Sequence, residues 1–275
     1  MAYSKFTLLL VEFLIVHNSL FSQPLTPDTV NFQSGNLQLK GLLWKPAAAG
    51  LFPAILYNHG SELKPEKFLS IIAPAFVERG YAFFVPFRRG QGLSKNEGKY
   101  IADALDSAGK MGGPVARFKM MIKLHETTQL SDQLQALAFL KVQPGIDSNR
   151  IVVAGISFGG IQTMLIATKP VGIKAALNFA GAAMVWEKSQ DVSDWLKHVV
   201  TEAKIPIYFI QAENDFSTKP SLELSNVMKQ AGKPYWVKIY PSYGTTPQEG
   251  HAFVDAVNVW GQDVFPQLDY LINKK

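Results

Sequence analysis

The chain has 275 residues, of which 47% are hydrophobic and 18% charged, a balance that suits one globular domain with a sizeable core and excludes a disordered chain. It contains no cysteine, which removes disulfides, thiolate metal sites and a cysteine nucleophile together. The net charge of +5 comes from scattered basic residues without a dense cluster interleaved with aromatics, so no nucleic-acid partner is expected.

Residues 1–22 join Lys5, the apolar run FTLLLVEFLIV and the polar, small-residue stretch HNSLFS. This pattern predicts a secretory signal peptide cleaved before Gln23, hence a secreted or periplasmic protein with no stable membrane insertion once the leader is gone. A retained membrane anchor is the competing reading, although the apolar run is short for a spanning helix. Residues 23–275 are expected to form a single α/β domain.

VNFQSGNLQLKGLLW predicts two short strands turning at Ser34-Gly35-Asn36. FPAILYNHG reads as an apolar strand, PEKFLSIIAPAFVERG as a helix closed by Gly80, and YAFFVPF as the next strand. That strand-helix-strand unit points to a parallel sheet. Residues 88–126, with glycines at 90, 92, 98, 109, 112 and 113 and Pro114, read as an irregular excursion over one edge with a short helix near 99–107, and residues 91–126 are expected to cover the site in part. Leu130, Leu134, Leu137 and Leu140 then recur at helical spacing. RIVVAGI, IKAALNFAG, IPIYFIQAE and YWVKIYP follow as strands, separated by helices, and a helical segment ends the chain. The expected architecture is an α/β fold with a mostly parallel central sheet and helices on both faces.

Ligands of such sheets bind beyond the carboxyl ends of the strands. His59-Gly60-Ser61, Arg88-Arg89-Gly90, Ser157 and Asp215 lie there, with Gly250-His251 after the last strand. Ser157 sits in Gly155-x-Ser157-x-Gly159, the pattern of a sharp strand-to-helix turn that holds a serine exposed; a structural turn serine is the alternative. A serine hydroxyl needs a base to take its proton, and His251 can act as base and then as acid toward the leaving group. His17 lies in the leader, while His125 and His198 fall in helical surroundings and read as satisfied or surface residues. A carboxylate must orient the histidine, and Glu213, Asp215, Asp191 and Asp194 all lie between the serine and His251. A tetrahedral intermediate also needs two donors, for which the backbone N–H groups of Phe158 and Ser61 are the candidates. Arg88 and Arg89 could contact an acidic substrate group or hold the loop by a salt bridge. AGKMGG and GISFGG do not fit nucleotide-binding loops, and no histidine spacing suggests zinc, so neither cofactor nor metal is expected.

The stretches YNHGS, PFRRGQGLS, GISFGG, QAENDFSTKP and EGHAFV, in the chain order Ser, Asp, His, resemble the α/β-hydrolase superfamily. Within it the chain is similar to the dienelactone-hydrolase-like group and the catalytic domains of prolyl-oligopeptidase-like enzymes. It departs from dienelactone hydrolases proper, whose nucleophile is a cysteine. The resemblance implies Ser157, Asp215 and His251 as the catalytic set, with Asp215 chosen over Glu213 by the match of AENDFSTKP, and His59 as a residue that shapes the oxyanion loop. It implies a cofactor-free serine hydrolase whose partner is a small-molecule ester. A small peptidase or amidase, and a binding protein that keeps the fold without catalysis, are the alternatives. About two dozen residues separate the strands ending near Ala180 and beginning near Ile205, too few for a large helical cap, so an open site is expected.

Overall fold

The computed structural model describes residues 26–274; the leader expected over residues 1–22 lies outside the described residues. The chain runs β1 (Asp28–Ser34), β2 (Leu37–Trp44), β3 (Phe52–Asn58), α1 (Leu69–Val77), β4 (Ala82–Pro86), α2 (Ile101–Glu126), α3 (Thr128–Lys141) and β5 (Ile146–Ile156). It continues through α4 (Phe158–Ala167), β6 (Ala176–Phe179), α5 (Gln190–Thr201), β7 (Ile207–Ala212), α6 (Lys219–Gln230), β8 (Tyr235–Tyr240), α7 (Pro247–His251) and α8 (Val257–Asn273).

The strands form one sheet in the order β1-β2-β4-β3-β5-β6-β7-β8. β1 and β2 pair antiparallel, as do β2 and β4, and every other pairing is parallel. Parallel strands covered on both faces read as continuous apolar runs, and all residues of β4, β6 and β7 are buried. Consecutive residues of a strand serve opposite faces. Ile55, Val152 and Leu177 pack with Phe76 of α1 and Trp260 of α8, whereas Leu56, Val153 and Phe209 pack with residues of α2 to α6. The parallel register, Ile55 opposite Val152 and Ile156 opposite Phe179, brings the ends of β3, β5 and β7 to one edge.

The excursion expected over residues 88–126 is instead largely helical. α2 spans the stretch in two segments joined by a kink, where Gly112 (φ −140°) and Gly113 (φ 71°) leave helical geometry. Composition misled here because tertiary burial outweighs weak propensity. Leu105, Phe118, Met121 and Ile122 all pack on the core. Pro114 follows the kink directly, in the first turn of the second segment, where its missing N–H costs no intrahelical bond.

Candidate active site

Ser157 links β5 to α4 with φ 55° and ψ −118°, a backbone state that costs a non-glycine residue about 1–3 kcal/mol. Its N–H donates to Phe179 O at 2.9 Å, tying the turn to β6. Two glycines make room for it. A Cβ on Gly155 would lie 2.4 Å from Gly159 O, and one on Gly159 would lie 1.9 Å from Asn58 O. Phe158 then opens α4, where a first-turn N–H has no intrahelical acceptor and the helix dipole favours negative charge.

His251, which follows the last strand, ends the five-residue helix α7. So short a helix shows no periodicity, but Thr246-Pro247-x-Glu249 is a legible capping box with proline in its first turn. His251 Nδ1 lies 2.8 Å from Asp215 Oδ1, and the Asp215 side chain is fully buried. The same carboxylate accepts from Phe216 N–H at 2.7 Å and from Gln211 Nε2 at 2.7 Å. An ionised carboxylate only accepts, so Nδ1 carries the proton and Nε2 is left as the basic nitrogen. Nε2 is buried and has no hydrogen-bond partner among the described residues; bonds of this kind tighten when substrate binds. Glu213 is exposed and accepts from the N–H and hydroxyl of Ser242. Asp191 and Asp194 lie in the first turns of α5.

The loop after β3 is braced from behind. The Arg88 guanidinium donates through Nη2 to the carbonyls of His59 and Gly60, Gln91 Nε2 donates to Glu62 O at 2.8 Å, and Tyr100 donates to Ser61 O at 2.7 Å. A trans peptide points its C=O and N–H in opposite directions. Drawing the Gly60 carbonyl toward Arg88 therefore turns the Ser61 N–H the other way, and Ser61 lines the cleft beside Ser157. His59 is buried, its Nδ1 2.9 Å from Gly60 O. Burial, then the nearby Arg88 charge, holds its pKa well below the usual range, so its imidazole is neutral.

The substrate-contact alternative for Arg88 and Arg89 is corrected by the structure. Arg88 is wholly buried with Nη2 committed to the loop. Arg89 pairs bidentately with the buried Asp132, Nε to Oδ2 at 2.9 Å and Nη2 to Oδ1 at 2.6 Å. Asp132 also accepts from Ser34, so this ion pair joins the excursion to β1 and α3. His125 is buried and stacks on Phe158 with ring centroids 3.8 Å apart, with Gln162 Nε2 2.7 Å from its Nδ1. His198 is exposed on α5.

Two clefts meet at Ser157, sharing Ser61 and Met184. One, of about 280 Å³, is walled by Leu105, Phe118, Met121, Ile161 and Val185. The other, of about 370 Å³, holds His251, Tyr57, Tyr100, Glu62 and Asp255. These lining residues were not legible in the sequence, because α2 and the segment after β6 reach the site only through the fold. Among the described residues no group of three or more His, Asp or Glu side chains is placed to hold a metal ion, and no helix is long and apolar enough to cross a membrane.

A strained serine turn after the central strand of a mostly parallel eight-stranded sheet, with a histidine and a buried aspartate arriving from beyond β7 and β8, defines an α/β hydrolase. Pyrococcus horikoshii acylaminoacyl peptidase shares the fold, with a TM-score of 0.62 at 18% identity over 90% of this chain and 42% of that one. More narrowly, the chain belongs to the dienelactone hydrolase family, whose model matches residues 40–261. It is 26% identical over 272 aligned residues to the uncharacterized peptidase YtmA of Bacillus subtilis, covering 87% of this chain and 94% of that protein. It is 28% identical over 160 residues to the quorum-quenching protein AidA of Acinetobacter baumannii, covering 58% of this chain and 45% of that protein. The chain thus spans less than half the length of AidA and of the Pyrococcus peptidase.

Proposed function

We propose that the protein is an exported serine hydrolase, freed of residues 1–22, that cleaves carboxylic esters through an acyl-enzyme. One observation carries the reading: Ser157, held at φ 55°, shares a cleft with His251, whose Nδ1 is held by the buried Asp215. Ser157 Oγ attacks the ester carbonyl carbon while its proton passes to His251 Nε2. The N–H groups of Phe158 and Ser61 receive the oxyanion, and Asp215 stabilises the imidazolium. Collapse breaks the C–O bond, and the leaving oxygen takes the proton from Nε2. Water repeats the sequence to release the acid.

The test is covalent labelling by a fluorophosphonate together with turnover of p-nitrophenyl butyrate. The wild type should be labelled at Ser157 and should turn over, whereas folded Ser157→Ala should do neither. Undiminished turnover by that variant would sink the assignment. Cleavage of small amides is a second reading, favoured by the peptidase names of YtmA and the Pyrococcus protein; a panel of aminoacyl amides set against matched esters decides between the two.

A further inference from the structure

The two clefts at Ser157 are chemically unlike, and the position of His251 tells which end of a substrate each receives. When the tetrahedral intermediate collapses, the leaving oxygen must lie within reach of the proton on His251 Nε2. His251 lines only the second cleft, so the leaving group occupies that one and the acyl chain takes the first, whose walls are largely apolar.

The second cleft presents two carboxylates, Glu62 and Asp255, and among the described residues neither forms an ion pair or a side-chain hydrogen bond. Tyr57, which lines the same cleft, is only 4% exposed, yet its hydroxyl has no hydrogen-bond partner among the described residues. Burial, then Glu62 and then Asp255, push the Tyr57 pKa well up, so both negative charges act on the same spot. Arg88, whose positive charge Glu62 feels, is fully buried and forms no ion pair with it. Partial burial raises Asp255 to about 6, so it is ionised at pH 8. Tyr57 and Tyr100, which both line this cleft, add aromatic surface that favours a cation.

We propose that the second cleft is a leaving-group subsite selective for an alcohol that carries a positively charged ammonium group, held between Glu62 and Asp255 against Tyr57. The proposal rests on the ester-hydrolase reading above and gives it a substrate class: an apolar acyl group esterified to a cationic amino alcohol.

A matched pair of esters tests it. Butyrylcholine and 3,3-dimethylbutyl butyrate share an acyl group and a shape and differ in the charge of one atom. Their kcat/KM ratio is measured at pH 8 and low salt, then divided by the same ratio for hydroxide-catalysed hydrolysis, which removes the intrinsic difference in reactivity. The corrected ratio should favour the cation by about tenfold in the wild type, the order expected of two partly solvated ion pairs. It should fall toward one in Glu62→Gln/Asp255→Asn, and in the wild type at high salt. A ratio cancels any loss of folded enzyme in the variant. A corrected ratio near one in the wild type, or one that survives in the double variant, overturns the proposal. So does hydrolysis of p-nitrophenyl butyrate with neither ester of the pair cleaved, which leaves the ester-hydrolase reading standing. No turnover of any ester removes both.

Discussion

Asp215→Asn is the sharpest perturbation of the site, because the structure leaves the replacement amide no satisfactory orientation. Oδ1 receives two donors, His251 Nδ1 and Phe216 N–H, and Oδ2 receives a third from Gln211 Nε2. If the new NH2 takes the Oδ1 side, it opposes the Phe216 N–H, and His251 must accept at Nδ1. The ring proton then moves to Nε2, and the base is lost. If the NH2 takes the Oδ2 side, it meets the Gln211 NH2. Gln211 cannot simply flip, because its NH2 also donates to Ser217 O at 2.7 Å while its Oε1 accepts from Ser221 at 2.7 Å. Either way a buried donor faces a donor, at about 1–3 kcal/mol. With the imidazolium no longer stabilised, kcat should fall by roughly 10⁴-fold with KM little changed. Glu213→Gln, by contrast, alters an exposed carboxylate that among the described residues meets only Ser242, and should change kcat by no more than about twofold. Stopped-assay kinetics on p-nitrophenyl butyrate, with circular dichroism to establish folding, read both. A folded Asp215→Asn enzyme within tenfold of wild type, or a larger effect from Glu213→Gln, would refute the reasoning.

Gly159→Ala drives a Cβ to 1.9 Å from Asn58 O, backbone that cannot step aside. It should cost about 3 kcal/mol or more and lower Tm by roughly 10 °C, read by calorimetry. Asp255→Asn should stabilise the protein in a pH-dependent way. Burial raises the folded-state pKa from 3.8 to about 6, so the stability of the native protein is intact below pH 4 and declines as pH rises through 6. The advantage of the variant should therefore be absent below pH 4, grow to about pH 6 and level off above it at about 1 kcal/mol, after allowance for solvent screening of this half-buried group. An advantage that shrinks as pH rises would contradict the sign. Arg88→Met removes the donors to the carbonyls of His59 and Gly60. It should lower kcat by about 10²-fold with a much smaller change in KM, since a misplaced Ser61 N–H is felt in the transition state; Arg88→Lys, which keeps a donor, should recover part of the loss.

Much of the architecture was legible because it is written in short-range signals. Apolar strand runs such as FPAILYN and IYFIQA need no partner to be seen, and the serine turn announces itself by Gly155 and Gly159, set two residues to either side of Ser157.

 The β7 run itself reads IYFIQA and is apolar for its first four residues, as a strand buried on both faces must be. Turn chemistry and burial pattern act over a few residues, so they survive in the sequence alone. The choice of Asp215 among the carboxylates came from its placement in the loop after the strand and from the resemblance of AENDFSTKP, not from local patterning. Glu213 and Asp215 stand two residues apart at the end of β7, and only the fold turns the first to Ser242 and the second to His251, 36 residues further along the chain. For Arg88 and Arg89 the sequence left two readings open, and only the fold shows one bracing the loop after β3 and the other pairing with Asp132. α2 was obscured by its own glycines, because the helix is sustained by burial of Leu105, Phe118 and Met121 rather than by propensity. Contacts between residues far apart in sequence depend on strand order and crossing helices, and the tertiary structure alone decides those.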